Sequence, residues 1–186
     1  MNGILPYNNK FPRLEEDVYV APGAWIIGDV VIGSRSSVWF NTVIRGDEHY
    51  IRIGSETNIQ DNCSLHVTEG RYPLEIGNRV TVGHRAIVHG SVVEDECMIG
   101  MGSIVMDGCR IGRGSLIAAG SVVTMGTVIP PHSLVVGTPG TVKKEITDKE
   151  RRRMQESIAH YLQLGQDYLK PELLREKIRI KGFLGD

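Results

Sequence analysis

The sequence is short of aromatic residues, which fill 6% of its 186 positions, and it has no long apolar run. No stretch approaches the roughly 18 residues that span a bilayer, so no membrane partner is expected. Charge of one sign is also lacking. Twenty-one Lys+Arg stand against 22 Asp+Glu, a net charge of -1, and a nucleic-acid partner, which needs a basic face, is not expected. Cysteine is confined to Cys63, Cys97 and Cys109, odd in number and far apart. That argues against a disulfide framework and for a cytoplasmic protein with reduced thiols. The first dozen residues have no basic segment followed by an apolar one and do not read as a secretory signal.

What the sequence does have is a period. Ile, Val or Leu recurs every sixth residue at Ile26, Ile32, Val38 and Ile44, at Ile53, Ile59 and Leu65, and at Ile76, Val82 and Val88. The series resumes at Val93 and runs through Ile99, Val105, Ile111, Ile117, Val123, Ile129 and Val135. Six is neither the 3.6 of a helix nor the 2 of a strand. It is the signature of a hexapeptide β-helix, in which each repeat is a short strand and a turn, and stacked coils bury one continuous aliphatic core. A narrow interior of this kind has little room for aromatics, and glycines serve its corners. Three steps make one triangular turn, so the series predicts about six coils over roughly 18–137, after an extended lead-in whose Pro6 and Pro12 oppose helix. The expected fold is mainly β, a parallel β-helix over 1–140, with a C-terminal α-helix and tail over 141–186 packed on the coil or on a neighbouring chain. Thr147 and Glu150 have capping-box spacing. Met154, Ile158, Tyr161, Leu162 and Leu169 form the helical stripe, with Gly165 expected to weaken the helix and Pro171 to end it.

The period breaks by insertion between Ile44 and Ile53, around Asp47-Glu48-His49-Tyr50, and between Leu65 and Ile76, around Thr68 to Pro73. It is one residue short after Val88, at His89-Gly90. Numbering three faces from Ile26 puts Ile44, Leu65 and Val88 in one column, followed by Arg45, His66 and His89. His66 and His89 should therefore stack one strand spacing apart, ~4.8 Å, a separation that suits two imidazoles converging on one ion. His84 lies on the third face, with Asp61 one coil earlier and Gln60 beside it. Catalytic zinc takes three protein ligands and a water, and that geometry closes if His84 comes from a neighbouring molecule, with three chains forming a ring. The alternative is that these are surface or interface histidines satisfied by hydrogen bonds.

The segments Asn58-Ile59-Gln60-Asp61-Asn62-Cys63-Ser64-Leu65-His66 and Val82-Gly83-His84-Arg85-Ala86-Ile87-Val88-His89-Gly90 resemble the gamma-class carbonic anhydrases, and in particular their short bacterial relatives. The resemblance covers nearly the whole chain, including Arg45-Gly46-Asp47 and the C-terminal helix. It implies a left-handed β-helix, an exception to the right-handed crossover of parallel strands, assembled as a homotrimer. It also implies Zn2+, with Fe2+ or Co2+ as substitutes, held by His66 and His89 of one chain and His84 of the next, and reversible hydration of carbon dioxide to bicarbonate. By the same resemblance Gln60, with Asn58 nearby, orients the reacting water, Arg45, Asp47 and Asp61 form ion pairs at the subunit interface, and Tyr161 reaches the metal site. Strongly active members carry a longer acidic loop after the first ligand. Here that loop is short, and Glu69 or Glu48 is the candidate proton relay. The competing functions are a coenzyme A-dependent acyltransferase, a thioester hydrolase and a weakly active metal-binding scaffold.

Overall fold

A computed structural model describes residues 3–170, which wind as a parallel solenoid of about seven turns with one helix against it. This is the mainly β architecture that the period predicts, and it is consistent with left-handed winding. All eighteen periodic aliphatics point inward, and none is more than 3% exposed. The third face is a sheet of seven short parallel strands, from Tyr19–Val20 to Ser133–Val136. The first and second faces merge into one sheet because the strands Trp25–Ile32 and Val43–Ile53 run around the corner between them.

The corner before the first face is turned by one left-handed residue per coil. Gly23, Asn41, Asn62, Arg85, Gly102 and Gly120 occupy this position, with φ between 58° and 79°. Glycine and asparagine reach that region at least cost, which explains their recurrence three residues ahead of each first-face aliphatic.

The structure corrects the expected coil count. The lead-in is itself a coil: Gly3–Leu5 pairs with Trp25–Ile27, Arg13–Leu14 with Val31–Ile32, and Tyr19–Val20 with Ser37–Val38. Leu14 and Val20 in fact extend the six-residue series back from Ile26. At the other end, Thr141–Glu145 adds an antiparallel strand to Ser133–Val136, which the period does not foretell.

The helix Asp148–Leu169 begins at the expected capping box, with Thr147 Oγ1 accepting from Glu150 N–H and the Glu150 carboxylate accepting from Thr147 N–H. Hydrogen bonds from Lys144 and Thr147 hold the Glu150 carboxyl down at about 2. The helix lies along the third face of its own chain, burying Met154 and Ile158. Gly165 does not interrupt it, because a Cβ there would come within 3.3 Å of Ser37 Cβ, so the small residue lets the helix settle onto the coil. Five of the aromatics gather in this seam, where Trp39 meets Tyr19, Phe40, Tyr161 and Tyr168 with ring centroids 5.3–6.3 Å apart. Each such pair adds roughly 0.5–1.5 kcal/mol beyond the area it buries. No helix among the described residues is long and apolar enough to cross a membrane. Pro171 and the tail 171–186 lie outside the described residues.

Candidate metal centre

His66 and His89 close the strands Ser64–His66 and Ile87–His89, and they are register partners in adjacent coils, as their column positions require. Their ring centroids are 5.0 Å apart, and His66 Nδ1 faces His89 Nε2 at 3.0 Å. The far nitrogen of each ring is engaged by a carboxylate: His66 Nε2 by Asp47 Oδ1 at 3.1 Å and His89 Nδ1 by Asp107 Oδ1 at 2.7 Å. Burial opposes ionisation of Asp47, but hydrogen bonds from Arg45 and His66 outweigh it and hold its carboxyl below the usual range. A carboxylate accepts, so each engaged nitrogen carries the hydrogen, and the two facing nitrogens of the neutral rings both present lone pairs. Two lone pairs at 3.0 Å repel unless a cation or proton lies between them. Zinc–nitrogen bonds of about 2.0–2.1 Å in a tetrahedron place two ligand atoms about 3.3 Å apart. The donor set and its spacing therefore fit a metal ion, and each ring has the outer carboxylate partner that metal-ligating imidazoles commonly have.

His84 stands at a different corner, two residues beyond Val82 on the third face. Its Nδ1 meets Asp61 Oδ2 at 2.7 Å, the pairing implied by their shared column. Its Nε2 accepts from the Tyr161 hydroxyl at 3.2 Å, and its backbone N–H donates to Gln60 Oε1 at 3.1 Å. Gln60 is buried and fixed in orientation, since its Nε2 donates to Asn58 Oδ1 at 3.2 Å and Asn58 Nδ2 donates to Thr81 Oγ1 at 2.9 Å. Tyr161 is braced edge-on by Trp39, and burial first, then the Asp61 charge, push its pKa up, so at neutral pH it is a donor. An apolar cavity of about 440 Å³ opens beside His84, lined by Met98, Met101, Leu116 and Ala119, with Gln60 and Tyr161 among its polar groups.

One chain thus brings together His66 with His89, and separately His84 with Asp61, Gln60, Asn58 and Tyr161. Among the described residues no group of three or more His, Cys, Asp or Glu side chains forms a complete ion site within the chain. Arg45 pairs with Asp47 and Asp61 with His84 inside the same molecule. Glu48 and Glu69 are both exposed, and neither is bonded to a histidine. Sequence reasoning missed Asp107. Its signal was its place two residues past Val105, one coil beyond His89. The three cysteines are free and buried, each Sγ donating to a carbonyl one coil on, as from Cys63 to Gly83 O at 3.1 Å.

The family model described as bacterial transferase hexapeptide (six repeats) matches residues 90–124, and that for the hexapeptide repeat of succinyl-transferase matches residues 73–105. The chain is 53% identical over 153 residues to a Methanocaldococcus jannaschii protein named "Probable carbonic anhydrase", covering 82% of this chain and 96% of that one. It is 42% identical over 163 residues to the mitochondrial gamma carbonic anhydrase 2 of Arabidopsis thaliana, covering 85% of this chain and 59% of that one. A solved hexapeptide transferase family protein from Anaplasma phagocytophilum matches with a TM-score of 0.84 and 37% identity, over 90% of this chain and 98% of that one.

Proposed function

Since the chain belongs to the gamma-class carbonic anhydrase family of hexapeptide-repeat proteins, whose reaction is of the lyase type, we propose that it hydrates carbon dioxide reversibly to bicarbonate at sites shared between three copies of the chain. One observation carries the reading. Each of the three histidines has one nitrogen taken by an aspartate, and the second nitrogens of His66 and His89 converge, whereas that of His84 lies at a different corner against the Tyr161 hydroxyl. A ring of three chains would bring His84 of one copy to His66 and His89 of the next. Zinc, or iron(II) or cobalt(II) in its place, would be held by these three rings and would supply the Lewis acidity that ionises water at neutral pH.

The chain's own residues do the rest. Asp47 and Asp61 engage the far nitrogens of His66 and His84 and so leave the lone pair on the nitrogen that would meet the ion. Gln60 is locked by Asn58 and by the His84 amide, and its second Nε2 hydrogen is free to orient an oxygen of the reacting water or of the substrate. The Tyr161 hydroxyl, once released from His84, donates to a bicarbonate oxygen. The proton that leaves passes to solvent through an exposed carboxylate, Glu69 or Glu48. The test combines three measurements on purified protein: sedimentation, metal content, and stopped-flow carbon dioxide hydration at several imidazole concentrations. A trimer with about one ion per chain and buffer-accelerated hydration is expected. A stable monomer that binds metal through all three histidines refutes the shared site.

The apolar cavity supports a second reading. Carbon dioxide needs roughly the space of two waters, at about 30 Å³ each, whereas the space beside His84 is about 440 Å³ and suits an acyl group. If the metal-loaded trimer leaves carbon dioxide at the uncatalysed rate while cleaving a thioester, hydrolysis replaces hydration as the reaction.

A further inference from the structure

The one irregularity that shortens the period has no part in the mechanism above. Between Val88 and Val93 a residue is missing, and the corner turns at Gly90 with φ of 42°. A Cβ on Gly90 would fall 2.1 Å from Asp107 Oδ1 and 2.7 Å from Tyr72 Cβ. The space a side chain would take is filled by the Asp107 carboxylate, which reaches back across the coil boundary to His89 Nδ1 at 2.7 Å. The same carboxylate oxygen accepts from Thr68 Oγ1 at 3.1 Å. Thr68 opens the insertion after Leu65, and that loop is closed by a bridge between Thr68 and Tyr72. The Tyr72 side chain lies beside both corners, where a Cβ added to Gly90 would meet its Cβ at 2.7 Å and one added to Gly108 its Cε1 at 3.1 Å. The insertion and the deletion, separated by some twenty residues, therefore meet at one carboxylate.

We propose that Asp107 is a positioning residue for the metal centre. It fixes His89 as the Nδ1–H tautomer with Nε2 turned to His66, and Thr68 and the shortened Gly90 corner exist to hold it there. The proposal rests on the reading of His66 and His89 as ligands, but it makes a separate claim about this chain in the absence of any ion. An aspartate at this reach locks both the ring's rotation and its protonated atom, whereas a residue that merely filled the corner would set neither. Outer partners of this kind are worth about 10–100-fold in metal affinity.

The experiment uses the full-length protein and the variants Asp107→Ala, Asp107→Asn, Thr68→Val and His66→Ala, with circular dichroism to establish that each keeps its coil. Cobalt(II) affinity is measured by chelator competition, together with the cobalt absorption spectrum. Nitrogen-15 shifts of the histidine rings are recorded on metal-free protein. Asp107→Ala is expected to weaken cobalt binding about 10–100-fold, to alter the cobalt spectrum and to abolish the single Nδ1–H tautomer of His89. Asp107→Asn, which keeps an acceptor but not the charge, should fall between alanine and wild type. Thr68→Val, which leaves the carboxylate in place, should move affinity and spectrum in the same direction by less. Cobalt affinity within about twofold of wild type in Asp107→Ala, with His89 still protonated on Nδ1, overturns the proposal. Wild-type protein that takes up no cobalt, or His66→Ala that binds like wild type, refutes the ligand reading instead, and the His89 tautomer then decides the role of Asp107 alone.

Discussion

Replacing His66 by alanine should abolish the metal binding proposed above and leave the coil intact. The two halves of that expectation come from opposite sides of one strand. Leu65, the neighbouring residue, is fully buried in the aliphatic core, while the His66 ring lies outside it among Asp47 and His89. Loss of the ring removes one of the two lone pairs that converge at 3.0 Å. Structural zinc sites bind with roughly 10–16 kcal/mol at neutral pH. Shared over four ligands, that is about 2.5–4 kcal/mol for each, or about two to three decades in Kd at 1.4 kcal/mol per decade. Wild type and variant would be dialysed against the same chelator at pH 7, with metal content measured by elemental analysis and the fold followed by circular dichroism. Metal near zero with an unaltered β spectrum is the expected result. Stoichiometric metal in the variant would refute the ligand assignment, and a collapsed spectrum would refute the independence of coil and ion.

Gln60→Ala should lower kcat by about 10²-fold or more, the usual cost of removing a group that orients developing charge, while metal content stays near wild type; steady-state hydration rates with parallel elemental analysis check this. Ile99→Ala, at a fully buried position in the core, should cost about 2–5 kcal/mol, read as a lower urea midpoint at unchanged slope. Cys63 and Cys97 should resist thiol reagents at pH 8 in the native protein and react after denaturation, because burial pushes both thiols up to about 12. The native state keeps these protons longer than the unfolded chain does. The stabilisation is therefore complete below the unfolded value of about 8.5 and is lost as pH rises from there towards 12, which a series of alkaline melts would reveal.

The six-residue spacing was enough to place eighteen of the core aliphatics, because in a solenoid the inward position repeats with the chain and does not depend on distant pairing, whereas the buried Val30, Ile51, Val67, Leu74 and Val80 lie off the period. The stacking of His66 on His89 and of Asp61 beneath His84 followed from the same column arithmetic, as did the capping box from the Thr147–Glu150 spacing. What escaped were features where the repeat is spliced. Leu14 and Val20 keep the period, but the ten-residue step back to Ile4 conceals the coil that they complete. Gly165 reads as a helix weakener until the closeness of Ser37 shows why a small residue is needed there. Asp107 carries no motif of its own. Its meaning appears only when the missing residue beside Gly90 is seen to open a path for its carboxylate.

Asp47, His66, His89 and Asp107 come from four successive coils and touch in series, each side chain meeting the next. A solenoid is otherwise a stack in which each layer feels only the ones above and below it, so its ends can fray while its middle stands. This vertical row rivets four layers together from outside the core. An ion seated between the two rings would tie the opening of any one of those layers to the opening of all four, and its affinity would then set how the stack comes apart.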